Sequence, residues 1–209
     1  MLDILSWISL GSGFLTAALI ALDVRGHPQR MRIMNIVWPV TGLYFPLAGL
    51  WFYRTLGKPM AVDQPCRHRQ PRWKSTFLSA AHCGSGCVLG DVAGAPIVFA
   101  SGRLLFGSRL FAEYAVEFAL AYAFGIAFQF LAIREMRDSS PADAALDAVK
   151  ADTLSLIAFE VGMFGWMALV HYLLLPGHPG ADTIVFWFMM QIAMVLGFLT
   201  TYPANWLLV

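Results

Sequence analysis

Six long apolar stretches, separated by short polar segments, account for most of the chain. Each has the length of about 20 mostly apolar residues that a membrane-spanning helix needs. None alternates polar and apolar residues as the strands of membrane β-barrels do. The pattern predicts an all-α, polytopic membrane protein, with a single transmembrane domain over residues 1–209 folded as a bundle of about six helices. The predicted spans are residues 4–22, 33–53, 77–100, 108–133, 153–175 and 183–208.

Local signals refine two of these spans. Pro39 and Pro46 predict a kink in the second span, because proline interrupts the helical hydrogen-bond ladder. Ser140-Pro141 is typical of an N-cap followed by proline in the first turn, so a helix is predicted to start at residue 141 and continue into the fifth span. Aromatic residues of the second span predict a belt at the membrane interface. They are Trp38, Tyr44, Trp51 and Tyr53.

The composition supports the membrane class. The chain is 58% hydrophobic and 13% charged, whereas soluble domains average about 45–50% apolar and about 25% charged residues. A net charge of +1, without a basic and aromatic patch, gives no indication of nucleic acid as a partner. The expected partners are the lipid bilayer and either further copies of the chain or a larger membrane complex.

The distribution of Lys and Arg predicts the orientation. With the N-terminus inside, the inner loops hold nine of these residues and the outer loops five. Both termini are therefore predicted on the cytoplasmic side of a bacterial inner membrane. Asp3 is the only charge before the first span, which favours a retained helix over a cleaved signal peptide. In the basic loop 54–75, Cys66 and His68 lack further ligands nearby, so an ordinary loop is the simpler interpretation.

The third span carries a cluster of metal-ligating residue types. Cys83, Cys87 and Asp91 follow at four-residue steps and share one helix face, with His82 beside them. Thiolate, imidazole and carboxylate together suit a transition-metal ion such as copper or zinc. The four residues are therefore predicted as metal ligands. Two inert buried thiols, which serve only as small apolar side chains, are the alternative.

Small and polar residues extend this site to neighbouring helices. Gly86, Gly90 and Gly94 predict close helix packing, because small residues at four-residue spacing let another helix approach. A rise of about 1.5 Å per residue places several polar side chains in the middle third of the bilayer. Arg109, at the outer edge of the fourth span, is the only Lys or Arg inside a span, so protonation, water or a bound cation must compensate for the carboxyl groups deeper in the membrane. The residues predicted to form a cation or proton path are Glu113, Glu117, Glu160 and Gln191.

Methionines in the fifth and sixth spans provide a weaker indication. Thioethers suit Cu(I), but methionine also packs well in any apolar helix, which is the simpler explanation. The residues concerned are Met163, Met167, Met189, Met190 and Met194.

Several short sequence motifs together resemble those of a known family. They are HCGSGC at 82–87 followed by Gly90-Asp91, ADTLS at 151–155, FWFMMQ at 186–191, TYPANW at 201–206 and WPVTGLY at 38–44. On these motifs, over nearly the whole chain, the sequence resembles the bacterial integral membrane family called domain of unknown function 4396. The resemblance implies a membrane fold and importance of the motif at 82–91. It implies no reaction.

Three functions remain open from the sequence. The first is binding or transport of a copper-like transition metal, or of a cation or proton, through the buried Cys, His and carboxylate side chains. The second is a non-catalytic accessory subunit of a larger membrane complex, and the third is a membrane thiol-redox protein. The chain carries no Ser-His-Asp set, phosphate loop or dinucleotide fingerprint, which favours a non-enzymatic role.

Overall fold

Five long helices dominate the structure. The computed structural model describes residues 1–64, 71–136, 140–175 and 179–208. Within them, five helices are long and apolar enough to cross a membrane, which confirms the all-α membrane class. They are α1 (Leu2–Gly26), α4 (Arg72–Ser101), α5 (Arg109–Met136), α6 (Pro141–Leu169, continued by a π-helical turn Val170–Leu174) and α7 (Ile184–Leu208). Cys66, His68 and residues 176–178 lie outside the described residues.

The start of α6 follows the local signal in the sequence. Ser140 is the N-cap, and its hydroxyl accepts a hydrogen bond from the backbone N–H of Asp143 at 3.2 Å. Pro141 occupies the first turn, where its missing N–H has no helical partner to lose. The predicted helix start at residue 141 is therefore confirmed.

The second predicted span, 33–53, is two short helices instead of one crossing. α2 covers Met34–Tyr44, and α3 covers Ala48–Phe52. The chain reverses at Pro46-Leu47, where Leu47 takes a left-handed φ of 57°. The Leu47 N–H donates to the hydroxyl of Thr16, midway along α1, at 3.1 Å. The predicted kink is thus a complete reversal inside the bundle.

The two ends of this segment meet at one end of the bundle. Gln29 and Ala61 pair as an isolated antiparallel bridge, and the Val62 N–H donates to the Pro28 carbonyl at 2.9 Å. Lys58 forms an ion pair with Asp23 of α1 at 2.9 Å. Residues 34–60 therefore enter and leave the bundle at the same end, and we call them the re-entrant hairpin.

Glycines allow the hairpin to pack. A Cβ added to Gly49 would lie 2.9 Å from the Cα of Gly42, so the two legs touch backbone to backbone. A Cβ added to Gly42 would lie 3.1 Å from the backbone nitrogen of Ala17 in α1. The hairpin is therefore held inside the bundle by contacts that a larger side chain would prevent.

Most of the predicted aromatic belt is instead part of the core. Trp38, Tyr44 and Tyr53 are buried, and Trp38 packs edge to face on Tyr53 with ring centroids 5.7 Å apart. Trp51 alone of the four is exposed, at 62%. The belt prediction is wrong for the buried three, because the hairpin brings them inward between α1 and α4.

The re-entrant hairpin changes the direction of the chain. After α1 crosses, the hairpin returns to the same end, and α4 to α7 then cross alternately. We call this end, which holds Gly26, Arg72 and Met136, the basal end, and the opposite end the distal end. Arg72 hydrogen-bonds the carbonyl of Trp206, so α7 also finishes at the basal end. The start of α1 and the end of α7 therefore lie at opposite ends, whereas six spans would place them together.

This topology predicts a labelling pattern. In a variant with Cys66, Cys83 and Cys87 changed to Ser, single cysteines at the exposed positions Arg32 and Asp63 should react with a membrane-impermeant maleimide from one side of sealed vesicles. A cysteine at Arg103 should react only from the other side. Reaction of Arg32→Cys and Asp63→Cys from opposite sides would show that residues 34–60 cross the membrane.

Candidate functional site

The site is built on α4, which has the largest buried share of the five long helices. Its glycine stripe faces α5. A Cβ added to Gly86 would lie 2.7 Å from the Cα of Gly125, and one added to Gly90 would fall on the backbone of Ala121. The two backbones are therefore in direct contact, as expected where small residues repeat every four positions.

The last glycine of the stripe brings an acidic side chain to α4. A Cβ added to Gly94 would lie 2.7 Å from the Cγ of Glu117 on α5. Asp91, one turn before Gly94, lies within electrostatic reach of Glu117 and of Glu160 on α6. Three carboxyl groups from three helices therefore meet inside the bundle.

These three carboxyl groups are buried, and most of their oxygens have no hydrogen-bond partner. Asp91, Glu117 and Glu160 are 0%, 1% and 2% exposed. Five of their six carboxyl oxygens have no partner: both of Asp91, both of Glu160 and Oε1 of Glu117. Among the described residues, no ion pair involves any of them. The depth estimate from the sequence placed these residues at a similar level, and the structure brings them together.

The two thiols of α4 continue the acidic cluster towards the basal end. Cys83 and Cys87 are buried and free, and they lie next to each other on the helix. Cys87 lies beside the carboxyl group of Glu160. Cys83 lies beside Asp152 and Ser155 of α6. Each thiol therefore has a carboxyl group from α6 as its neighbour.

Asp152 was not among the site residues predicted from the sequence. It is buried, its Oδ2 has no hydrogen-bond partner, and this atom would lie 2.7 Å from a Cβ added to Gly125. The spacing of residues in the sequence could have indicated Asp152. Asp152 and Glu160 are eight residues apart on α6, and Cys83 and Asp91 are eight residues apart on α4. Since both helices run in the same direction, equal spacing keeps the two pairs at matching levels.

Glu113 extends the series to the distal end. It is buried, lies near Glu117 and Arg109, and lines a small cavity of about 20 Å³ together with His171 and Met189. Neighbouring protonatable side chains therefore follow one another through the core. From the distal to the basal end, this protonatable row is Glu113, Glu117, Asp91, Glu160, Cys87, Cys83 and Asp152.

His82 does not join the thiols. Its ring packs near Phe128, bonds the backbone carbonyl of that residue, and lines a cavity at the basal end. Neighbouring residues on a helix point about 100° apart, so His82 and Cys83 face different surroundings. Among the residues that the structure describes, no group of three or more His, Cys, Asp and Glu side chains is arranged to hold a metal ion. The predicted set of His82, Cys83, Cys87 and Asp91 is therefore not one cluster.

Gln191 also lies away from the row. Its amide donates to the Leu43 carbonyl at 2.6 Å and accepts from the Ser9 hydroxyl at 2.6 Å. It therefore joins α7 to the tip of the re-entrant hairpin and to α1. Both groups of its amide are used in contacts between helices, and its part in a cation or proton path stays a prediction.

The fold and the site define a polytopic membrane protein with protonatable side chains buried along its core. The family described as a domain of unknown function (DUF4396) matches residues 72–209. The chain belongs to this family, as its motifs indicated. The match covers α4 to α7, and hence the whole protonatable row, while the motif at 38–44 lies outside it. No curated protein and no solved structure matches the chain.

Proposed function

We propose that this protein moves cations across the membrane through the protonatable row, which carries protons alone or in exchange for a transition-metal ion. The observation that carries the proposal is the set of five carboxyl oxygens without partners on Asp91, Glu117 and Glu160. A charged carboxylate at the bilayer centre costs about 2.5–3.5 kcal/mol. Three such groups destabilise the bundle unless protons or a cation occupy them.

A purely structural role explains these residues less well. The same bundle contains polar side chains that do join helices, and these are fully hydrogen-bonded. Ser155 and Thr201 bond at 2.9 Å, Asn205 donates to Ser155 at 2.6 Å, and Ser79 donates to Asn205 at 2.6 Å. Five of the six carboxyl oxygens of Asp91, Glu117 and Glu160 lack such bonds, which favours exchange of protons or cations over helix packing.

The thiols are the part of the row that suits a metal. Cys83 and Cys87, each beside an α6 carboxyl group, offer donors for a borderline or soft ion such as zinc or copper. Protons would then occupy the carboxyl groups when the ion leaves. The same two thiols are the feature that a thiol-redox protein would use.

The basic residues support an orientation in a bacterial inner membrane. Of the eleven Lys and Arg that the structure describes, nine lie towards the basal end, and Arg103 and Arg109 lie at the distal end. The positive-inside rule then makes the basal end cytoplasmic. The end of α7 would face the cytoplasm and the start of α1 the outside, in place of two cytoplasmic termini. Maleimide labelling of intact cells at Arg103→Cys tests this orientation.

Transport by the purified protein tests the function. Vesicles that contain the protein and a trapped pH dye should change internal pH at least about 10-fold faster than empty vesicles when an opposing zinc or copper gradient is imposed. If the metal passes the thiols, Cys83→Ser/Cys87→Ser should reduce metal uptake, measured by elemental analysis of the vesicles. Absence of both proton and metal movement would contradict the proposal and favour an accessory role.

A further inference from the structure

A second site lies at the basal end, apart from the protonatable row. A cavity of about 420 Å³ opens between the re-entrant hairpin, α4 and α5. His82, Trp38 and Gln29 line it, and each has a buried nitrogen atom without a hydrogen-bond partner: Nε2, Nε1 and Nε2, respectively. Nε1 of Trp38 and Nε2 of Gln29 carry N–H groups, which a cation cannot satisfy, whereas Nε2 of a neutral imidazole can accept, so His82 is the one of the three that can bind a metal ion.

The imidazole of His82 is oriented as a ligand. It is 9% exposed, and since Nε2 is the nitrogen without a partner, Nδ1 is the one that bonds the Phe128 carbonyl. With its proton on Nδ1, the neutral ring keeps a lone pair on Nε2, the buried nitrogen without a partner. Metal-bound histidines commonly have this arrangement, in which a backbone carbonyl holds the other ring nitrogen.

Thioether side chains line the same cavity as His82. Met31, Met34, Met60 and Met136 line the cavity, which accounts for four of the ten methionines in the chain. They come from the hairpin, the segment before it and the end of α5, so the fold gathers them from separate parts of the sequence. Thioether sulfur is a soft donor that suits monovalent copper. The unbranched methionine side chain can also adjust to close around an ion.

The other lining groups favour a soft cation over a hard one. Trp38 presents an indole ring, the aromatic group that attracts cations best. Glu135, a carboxylate at the rim, already accepts a hydrogen bond from the backbone N–H of Arg32 at 2.8 Å. Sulfur and imidazole donors, which favour a soft ion, thus line the cavity together with the neutral side chains of Ser79 and Gln129 and the cationic Arg30.

We infer that this cavity binds a soft monovalent metal ion, Cu(I) or Ag(I), through methionine thioethers and Nε2 of His82. Binding requires no movement through the row. If the proposed function holds, the cavity is where the ion meets the protein at the basal end. His82 precedes Cys83 in the sequence, and their side chains leave α4 in directions about 100° apart.

Silver binding tests this site without redox chemistry. In the variant with Cys66, Cys83 and Cys87 changed to Ser, titration calorimetry with Ag⁺ in detergent should show one equivalent bound per chain. Met31→Leu/Met34→Leu should weaken this binding at least about 10-fold, and His82→Gln should do the same. Met163→Leu/Met167→Leu is the matched control, because it removes two methionines of α6 that line no part of this cavity. Zn²⁺ should bind at least about 10-fold more weakly than Ag⁺.

Several results would overturn the inference: no Ag⁺ bound by the cysteine-free variant, equal binding by Met31→Leu/Met34→Leu, or a loss caused only by the α6 control. If the cysteine-free variant does not fold, the wild type and Met31→Leu/Met34→Leu are compared, and the latter should bind one equivalent less. Silver binding without any flux in vesicles would contradict the proposed function and leave this site standing. Flux in vesicles without silver binding at this cavity would contradict the inference and leave the proposed function standing.

Discussion

Replacing Asp91 by Asn is expected to lower cation flux about 10-fold or more while the folded protein stays at least as stable as the wild type. Asp91 is the middle carboxyl group of the row, with the carboxyl groups of Glu117 and Glu160 as its neighbours. Asn has nearly the same shape but neither binds nor releases a proton near neutral pH. The substitution therefore breaks the series at its centre and leaves the packing around Gly90 and Gly94 in place.

Stability should not fall, because the wild-type side chain gains nothing from hydrogen bonds. Both oxygens of Asp91 are without partners, and a charged form would cost about 2.5–3.5 kcal/mol in the membrane. Thermal unfolding in detergent and dye-reported flux in vesicles measure the two effects separately. Asp3→Asn is the matched control, since it makes the same chemical change at an exposed position. Normal flux in Asp91→Asn would show that the row is not the path.

Replacing Gly90 by Ala is expected to cause the largest loss of stability of any single methyl addition in α4. The new Cβ would fall on the backbone nitrogen and Cα of Ala121. A backbone cannot rotate away as a side chain can, so α4 and α5 must separate. Overpacking of this kind typically costs about 1–3 kcal/mol, and a clash with backbone lies at or above the upper end. The separation would also move Glu117 away from Asp91.

Unfolding in detergent measures this effect, with size-exclusion chromatography to detect aggregation. Gly11→Ala is the matched control, because a Cβ at Gly11 in α1 meets no atom within 4 Å. Alanine is also the better helix former by about 1 kcal/mol. The control should therefore be as stable as the wild type or more so. Equal free energies of unfolding for Gly90→Ala and Gly11→Ala would show that the backbones of α4 and α5 are not in direct contact at Gly90.

Regular helix geometry explains why part of the site could be predicted. The rise per residue is the same in every helix, so counting from the span edges placed Asp91, Glu117 and Glu160 at a common depth. Four-residue spacing likewise placed Gly86 and Gly90 on one face. Neither argument needs knowledge of a neighbouring helix, and the structure brings the three carboxyl groups together.

Rotation of each helix about its axis could not be predicted in the same way. His82 and Gln191 were grouped with the row because of their residue type and depth. The structure turns His82 towards Phe128 and the basal cavity, and it turns Gln191 towards Leu43 and Ser9. Which face meets which neighbour depends on the packing of all helices together, and an almost uniformly apolar helix carries little pattern to indicate it.

The sequence by itself determined the class of protein, the positions of five spans, the start of α6 and the depth of the buried carboxyl groups. These depend on apolar length, capping and helical rise, which are local properties. Only the tertiary structure decided that residues 34–60 form a re-entrant hairpin and that methionines from three segments line one cavity together with His82. Both depend on contacts between distant residues, such as Leu47 with Thr16 and Gln29 with Ala61. Hydrophobicity cannot distinguish one crossing from two half-crossings of the same composition.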